Sequence, residues 1–263
     1  VWRVSKYFPV DDKECVDPSK VIDLTPRLRR PSTTDAPLAF SLPKGKWHLV
    51  RIGHTSTGHT NATGGGGRGL ECDRFSAAAV DKQFDNWFAA IYRHAPIDVA
   101  RKVLTRLHVD SWEAGSQNWS SNFMDEFKKR RGYDLKPWLL LYVGVPLKSS
   151  EESEKVLRDI RLTIGDLVND VFFTEVRRLA DEYGVKLSTE CVAPTMVSDG
   201  LRHYQFADFP MGEFWLNSPT HDKPNDMLDA VSGAHIYGKN VIQAEGFTEV
   251  RGCLLYTSPS PRD

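Results

Sequence analysis

The first 60 residues alternate apolar and polar positions over short runs. These runs are VIDLTPRL, LAFSLPKG and KWHLVRIGHTSTG, and Pro and Gly residues separate them. The last run can place Trp47, Leu49 and Arg51 on one side of a strand. A period of two is typical of half-buried strands, so the pattern predicts antiparallel β structure. We interpret residues 1–60 as the end of a β-rich, sandwich-like accessory region.

From residue 71 the apolar positions recur every three or four residues, which is typical of helices. Ser76 can cap a helix that ends near His94. Its predicted apolar face consists of Val80, Phe84, Trp87, Phe88 and Ile91. A second helix is predicted over residues 122–131, with Phe123 and Phe127 inward. The strongest helical signal covers residues 151–183, where one continuous helix would be about 50 Å long, so we predict a break or bend before a stop at Gly184.

Short apolar runs lie between these helices and predict strands. They are RKVLTRLHVD, VKLSTE, ADFPMGEFW and NVIQAEGF. Alternation of strand and helix implies parallel strands joined by right-handed crossovers. The expected fold class is therefore α/β, a partial (β/α)8 (TIM-type) barrel over residues 61–252, preceded by the small antiparallel β segment.

Four glutamates follow the predicted strands: Glu113, Glu190, Glu213 and Glu245. The carboxyl ends of parallel barrel strands are where such folds place their chemistry. If the four strands are consecutive, Glu113 and Glu245 lie three strands apart, nearly across the mouth. Such a pair suits glycoside hydrolysis, in which one carboxyl protonates the leaving oxygen while the other activates water or attacks the sugar.

Aromatic residues accompany three of these glutamates. Trp112 precedes Glu113, Trp215 follows Glu213, and Phe247 follows Glu245. Flat aromatic faces suit the apolar faces of sugar rings, so we predict that these three residues contact substrate. Each of them alone is better explained as a core residue, and the sequence leaves this alternative open.

Composition and motifs exclude several other classes of function. Lys and Arg number 34 against 35 Asp and Glu, so no bulk charge favours nucleic acid. No apolar run approaches the 18 or so residues of a membrane-spanning helix. The stretch TNATGGGGRG lacks the ending of a phosphate-binding P-loop, no H-E-x-x-H zinc motif occurs, and GHTSTG is not a serine elbow. An uncharged oligosaccharide or polysaccharide remains a suitable partner.

The motifs GHTSTG, GLECDRFS, DSWEAGSQNWSSNFMDEFKKRRGYDLKPWL, FPMGEFW, AHIYGK and AEGFT resemble glycoside hydrolase family 106, the α-L-rhamnosidases. The resemblance implies a β/α barrel with associated β domains that removes terminal α-L-rhamnose from plant glycans with inversion, and a calcium ion near the sugar. By motif match it implies Glu113 as general acid and Glu245 as general base.

The resemblance also implies roles for the remaining acidic residues. Glu213 is its best candidate for a calcium ligand, Asp110 is a second ligand, and Glu190 is a substrate-contacting or supporting group. Glu71 and Asp73 of GLECD either reach the site or serve a structural role. Non-catalytic carbohydrate binding and a retaining glycosidase of another barrel family remain alternatives.

The ends of the chain suggest a fragment. Val1 is not a natural initiator, and Cys253 to Asp263, CLLYTSPSPRD, resembles translated sequencing-adapter read-through from a shotgun assembly. We therefore expect residues 253–263 to be a non-native tail on a metagenomic fragment. The substrate class leads us to expect a secreted or periplasmic bacterial protein.

Overall fold

The computed structural model describes residues 10–27, 40–60, 67–113, 115–215 and 223–248. The chain divides into two compact units. One comprises Val1–Arg3, Ser56–Phe123 and Arg161–Asp263, and the other comprises Val4–Thr55 and Met124–Ile160. The predicted tail, residues 253–263, lies outside the described residues, and the predicted domain boundaries stay predictions.

A four-stranded parallel sheet is the centre of the first unit. Its strands, in both chain order and spatial order, are β1 (Arg106–Val109), β2 (Lys186–Thr189), β3 (Phe209–Trp215) and β4 (Gln243–Thr248). The register pairs Val109 with Thr189 and Glu213 with Glu245. The predicted α/β class with parallel strands is thus confirmed, whereas the barrel remains a proposal.

In the described part of the chain three α-helices precede β1, namely α1 (Ala77–Asn86), α2 (Phe88–His94) and α3 (Ile97–Val103). Ser76 caps α1 as predicted, since its hydroxyl accepts from the Ala79 N–H. The predicted apolar face is only partly right: Trp87 and Ile91 are exposed because the helix is interrupted at Trp87. The predicted strand RKVLTRLHVD is too long, because Arg101–Val103 complete α3.

The long helical signal resolves into three consecutive segments: α5 (Ser150–Leu167), a π-helical stretch (Val168–Phe173) and α6 (Thr174–Glu182). The predicted break is therefore a π-helical turn, a local irregularity that often accompanies functional sites. Gly184 has φ 67°, a left-handed conformation that favours glycine and ends the helical run before β2, as predicted.

Helices α1, α2 and α6 pack against the sheet. Phe84 and Phe88 from α1 and α2, Leu179 from α6, and Leu107 and Leu187 from the strands form one buried cluster. Helix α7 (Pro224–Ile236) connects β3 to β4 and packs closely on β3. No helix among the described residues is long and apolar enough to cross a membrane.

The other unit differs from the expected antiparallel segment. Residues 40–59 contain no strand, and Leu49 of the alternating run is 72% exposed. Alternation predicts a strand only where a partner strand can take its hydrogen bonds, and the described part of the chain supplies none to this run. Helix α4 (Phe123–Arg131) begins within a residue of its predicted start, and Phe123 and Phe127 are fully buried as expected.

Candidate active site

One face of the sheet carries the candidate chemistry. Side chains from all four strands line a cavity of about 420 Å³: Arg106, His108, Ser188, Met211, Gln243 and Ala244. Because side chains alternate along a strand, the residues two positions beyond His108, Ser188, Met211 and Gln243 belong to the same face. These are the acidic residues Asp110, Glu190, Glu213 and Glu245.

The strand register brings the acidic residues together in neighbouring pairs. Glu213 and Glu245 are direct partners in the β3–β4 ladder. The Glu190 N–H donates to the Val109 carbonyl at 2.9 Å, which places Glu190 beside the end of β1, where Asp110 follows. The sheet therefore gathers four carboxylates: Asp110 and Glu190 directly follow β1 and β2, whereas Glu213 and Glu245 lie within β3 and β4.

Glu190 is the most deeply buried of these groups, at 1% exposed. Neither of its carboxylate oxygens has a hydrogen-bond donor among the described residues. Burial, and then the negative charges of Asp110, Glu245 and Glu213, raise the pKa of Glu190 to about 8. At neutral pH this carboxyl therefore holds a proton for most of the time.

The raised pKa of Glu190 predicts a pH-dependent stability. Between pH 4.5 and 8 the Glu190 carboxyl binds more protons in the folded chain than in the unfolded chain, so through this group raising the pH favours unfolding. His203, whose pKa is lowered to about 4, has the opposite effect between pH 4 and 6.5, which leaves pH 6.5 to 8 as the informative window. There we expect the free energy of unfolding to fall by up to about 1.4 kcal/mol per pH unit.

Urea unfolding in EDTA-containing buffers at a series of pH values measures this slope. Glu190→Gln removes the titrating proton and is expected to flatten the slope in that window. A variant with the wild-type slope would contradict the assignment to Glu190.

His203 contacts the backbone of Glu190, and the sequence analysis did not identify it as a site residue. The ring is fully buried, and its Nε2 lies 2.8 Å from the Glu190 carbonyl oxygen, to which it donates in the matching tautomer. Burial lowers the pKa of His203 to about 4, so the ring is neutral at physiological pH. No local pattern marks this contact because 13 residues separate the partners.

Glu213 is engaged by two donors. The Lys223 ammonium donates to its Oε2 and the Trp215 indole N–H to its Oε1. Glu213 is 5% exposed, and the side chain of Lys223 is largely buried as well. Lys223 has φ 47°, a left-handed conformation uncommon for a residue with a side chain. The structure thus neutralises Glu213 with an internal cation.

Glu245 and Phe247 lie on β4. Thr248 donates its hydroxyl to Glu245 Oε1 at 3.0 Å, and Glu245 is half-buried. Phe247 is 54% exposed and contacts Phe214 edge-on, with ring centroids 5.0 Å apart. An exposed ring next to a carboxylate is suited to contact a sugar face.

Glu113 lies four residues beyond β1 rather than at its end. It is exposed and accepts a hydrogen bond from the Ser111 hydroxyl at 3.1 Å. The loop that carries it is fixed through its neighbour Trp112, whose N–H donates to the Ala193 carbonyl at 2.7 Å and whose carbonyl accepts from Thr195 at 2.5 Å. Glu113 is therefore an accessible carboxylate on an anchored loop.

Trp112, predicted to contact substrate, is 6% exposed. Its ring centroid lies 5.4 Å from Phe172 and 6.3 Å from Phe173, both in the π-helical turn. The Arg74 guanidinium lies 4.2 Å from the centre of the indole ring. Packing on these sides places Trp112 beneath the Glu113 loop as a core residue.

The GLECD motif supports the same loop. Asp73 accepts hydrogen bonds from Gln117 at 2.5 Å, from Ser120 at 2.6 Å and from the Phe75 N–H at 2.9 Å. Glu71 forms an ion pair with Arg74 at 2.6 Å. Of the two roles left open for Glu71 and Asp73, these contacts favour the structural one.

His108 completes a cluster that sequence reasoning also missed. Its Nε2 lies 3.8 Å from Asp110 Oδ1. Ligand-capable atoms of His108, Asp110 and Glu190 all lie within 4.8 Å of one another. The spacing of His108 and Asp110 by two residues was the available signal, since it places both on one face of β1.

Carboxylates that cluster on one face of a parallel α/β sheet are typical of enzymes that use general acid–base catalysis. The family model of the alpha-L-rhamnosidases, glycoside hydrolase family 106, matches residues 3–260. The chain belongs to this family. The family resemblance inferred from the motifs is confirmed.

The chain is similar to parts of two larger proteins. A protein of Formosa agariphila that carries the name "Putative beta-glucuronidase" is 32% identical over 245 residues, which is 92% of this chain and 20% of that protein. The rhamnosidase from Novosphingobium sp. PP1Y superimposes with a TM-score of 0.73 at 29% identity, covering 89% of this chain and 23% of that structure. The chain therefore spans about a fifth of the length of these relatives.

Proposed function

We propose that this chain carries the acid–base machinery of an inverting α-L-rhamnosidase that removes terminal α-L-rhamnose from plant-type glycans. The observation that supports it best is the face on which Asp110, Glu190, Glu213 and Glu245 gather, with Glu113 on the adjoining loop. In this proposal the four parallel strands are part of a (β/α)8 barrel over residues 61–252. A glycan substrate agrees with secretion or a periplasmic location.

In the proposed reaction Glu113 is the general acid and Glu245 the general base. Glu113 gives its proton to the glycosidic oxygen as the bond to the anomeric carbon breaks. Glu245 takes a proton from the water that forms the new bond on the opposite face. The accessible Glu113 and the half-buried Glu245, oriented by Thr248, agree with these roles.

The other residues predicted to contact substrate differ in how exposed they are. Phe247 presents an exposed ring, and Trp215 lies beside Glu213 on the carboxylate face. Glu190 is 1% exposed and has the role of a supporting group in this proposal, the second of the two roles expected for it. Trp112 acts in this proposal through the loop that it supports rather than by contact with the sugar.

Calcium does not fit at Glu213 in the observed arrangement. Lys223 and Trp215 engage both carboxylate oxygens, and a divalent cation there would face the Lys223 ammonium. Among the described residues, Glu213 belongs to no group of three possible metal ligands. The proposed reaction therefore contains no step that depends on calcium at Glu213 and Asp110.

The experiment that tests the proposal compares aryl α-L-rhamnosides with aryl β-D-glucuronides as substrates of this chain, with proton NMR of the first sugar anomer released. We expect cleavage of the rhamnoside with β-L-rhamnose appearing first, since inversion converts α to β. Release of α-L-rhamnose first would establish a retaining mechanism. Cleavage of the glucuronide alone would overturn the rhamnoside assignment, and saturable rhamnose binding without cleavage would support the non-catalytic alternative.

A further inference from the structure

We propose that His59 is a positioning residue for Glu113 and acts through Gly115 in the same loop. His59 directly follows the GHTSTG motif, and no role was predicted for it from the sequence. The inference rests on the proposed function where it treats Glu113 as the general acid. The contact between His59 and the loop does not depend on that role and can be measured without substrate.

The first support is the close approach of the His59 ring to Gly115. A Cβ atom placed on Gly115 would lie 2.9 Å from His59 Cδ2, 3.0 Å from Cε1 and closer still to Nε2. Carbon atoms in favourable contact are about 3.5–4.0 Å apart, so a side chain at position 115 does not fit beside the ring. Gly115 also has φ 70°, a left-handed conformation that glycine adopts without strain. The imidazole therefore occupies the space that a side chain of residue 115 would take, and it limits movement of the loop.

The second support is the contact of Gly115 with Trp112. The Gly115 carbonyl accepts a hydrogen bond from the Trp112 indole N–H at 3.1 Å, and Trp112 is buried. Residue 115 is thus held by the indole through its carbonyl and by His59 through its Cα. Glu113 lies between residues 112 and 115, so holding both of them fixes the backbone that carries this carboxylate.

The third support is the set of contacts that fixes His59 itself. Thr57 Oγ1 accepts from the His59 N–H at 3.3 Å, and the His59 carbonyl accepts from the Glu71 N–H at 3.0 Å. Glu71 forms an ion pair with Arg74, whose guanidinium lies 4.2 Å from the centre of the Trp112 ring. The end of the GHTSTG motif and the GLECD motif therefore hold His59 and Trp112 in one network of contacts.

The position of Glu113 determines how well it can act as an acid. A general acid must lie within hydrogen-bond reach of the oxygen that it protonates, and a displacement of about 1 Å can lower the rate by about 10²-fold. Glu113 is exposed, so packing of its own side chain does little to fix it. We therefore expect His59 to affect kcat through the position of Glu113 and to have little effect on KM.

His59→Ala should lower kcat about tenfold or more for a rhamnoside with a sugar leaving group, because Glu113 is less well placed. On 2,4-dinitrophenyl rhamnoside, whose leaving group departs without a proton, kcat should stay close to wild type. His59→Phe keeps a flat ring against Gly115 and should retain most of the activity. His94→Ala, at an exposed histidine that ends α2, is the matched control and should leave both rates unchanged.

A double-mutant cycle tests whether His59 acts through Gly115. Gly115→Ala adds the Cβ atom that the His59 ring opposes, and it should lower kcat for the sugar leaving group. Gly238→Ala is the control for left-handed alanine: Gly238 has φ 63°, and its added Cβ would meet no heavy atom of the described residues within 4 Å, chain neighbours aside. In the His59→Ala background the effect of Gly115→Ala should be smaller, whereas additive effects would overturn the contact.

Exchange of the Trp112 indole proton with D₂O, followed by NMR, tests the contact without substrate. This proton bonds to the Gly115 carbonyl, so His59→Ala should raise its exchange rate about tenfold or more as the loop opens more readily. Unchanged exchange would overturn the proposed contact. If the wild-type chain cleaves no rhamnoside, the proposed function fails, and the exchange rate alone decides whether His59 holds the loop.

Three kinetic results would overturn the positioning role in an active chain. They are wild-type kcat of His59→Ala for the sugar leaving group, equal losses on both substrates, and a loss in His59→Phe as large as in His59→Ala. Circular dichroism establishes that each variant is folded, as the exposure of His59 leads us to expect.

Discussion

Glu113→Gln is expected to lower the rate of rhamnoside cleavage by a factor of about 10² to 10⁴, the usual contribution of a general acid or base. Glutamine keeps the shape and the acceptor position for Ser111 but has no proton to give to the glycosidic oxygen. Because Glu113 is exposed and lies outside the buried core, the fold should be unaffected. Steady-state kinetics with a sugar leaving group and with 2,4-dinitrophenyl rhamnoside measure the effect.

The leaving group separates the acid from the base. A dinitrophenolate departs without protonation, so Glu113→Gln should recover most of its activity on that substrate. Glu245→Gln should lose a comparable factor on both substrates, because the attacking water still needs a base. Glu151→Gln, at an exposed carboxylate of α5 paired with Lys155, is the control and should retain wild-type rates. Equal losses of Glu113→Gln on both substrates would remove Glu113 from the role of acid.

The acidic face could be predicted from the sequence because it follows from the alternation of side chains along each strand. Because side chains alternate along a strand, Glu190 lies on the same face as Ser188 and Glu213 on the same face as Met211, and both Ser188 and Met211 line the cavity. Parallel pairing then brings them together, which follows from the order of helices and strands. The end of the long helix at Gly184 is predictable for the same reason, since glycine at a left-handed position is a local signal.

The partners of those carboxylates were not predictable in this way. Lys223 reaches Glu213 across ten residues, and His203 reaches the Glu190 carbonyl across 13. Gln117 and Ser120 meet Asp73 across more than 40 residues. Each contact depends on how loops fold against the sheet, for which neither period nor spacing carries a signal. The sequence therefore predicts which strand carries each glutamate, but it does not predict which side chain lies beside that glutamate.

The four glutamates differ in burial and in what compensates their charge. Glu190 has no donor and gains a proton, Glu213 gains the Lys223 ammonium, and Glu245 and Glu113 remain reachable from solvent. Two neutralised carboxyls between two accessible ones limit the repulsion that four neighbouring negative charges would create. This division supports the choice of Glu113 and Glu245 as the reacting pair.

Trp112→Ala is expected to destabilise the chain by about 3–5 kcal/mol, the usual cost of removing a large buried aromatic side chain. The variant loses the packing on Phe172 and Phe173 and the contact with the Arg74 guanidinium, and it leaves a cavity under the Glu113 loop. Trp112→Phe preserves part of the ring packing and should cost much less. Urea unfolding of the three proteins at one pH measures the difference.

The same variants distinguish between direct contact of Trp112 with the sugar and support of the Glu113 loop by Trp112. If Trp112 contacts the sugar directly, Trp112→Ala should raise KM while stability changes by less than about 0.5 kcal/mol, as for exposed positions. If Trp112 supports the loop, stability falls and kcat falls with it, because Glu113 is no longer held where the glycosidic oxygen lies. Phe247→Ala is the matched comparison, since that ring is exposed beside Glu245 and should change KM with little effect on unfolding. A stable Trp112→Ala protein with a raised KM would show that the sequence-based prediction of substrate contact was right.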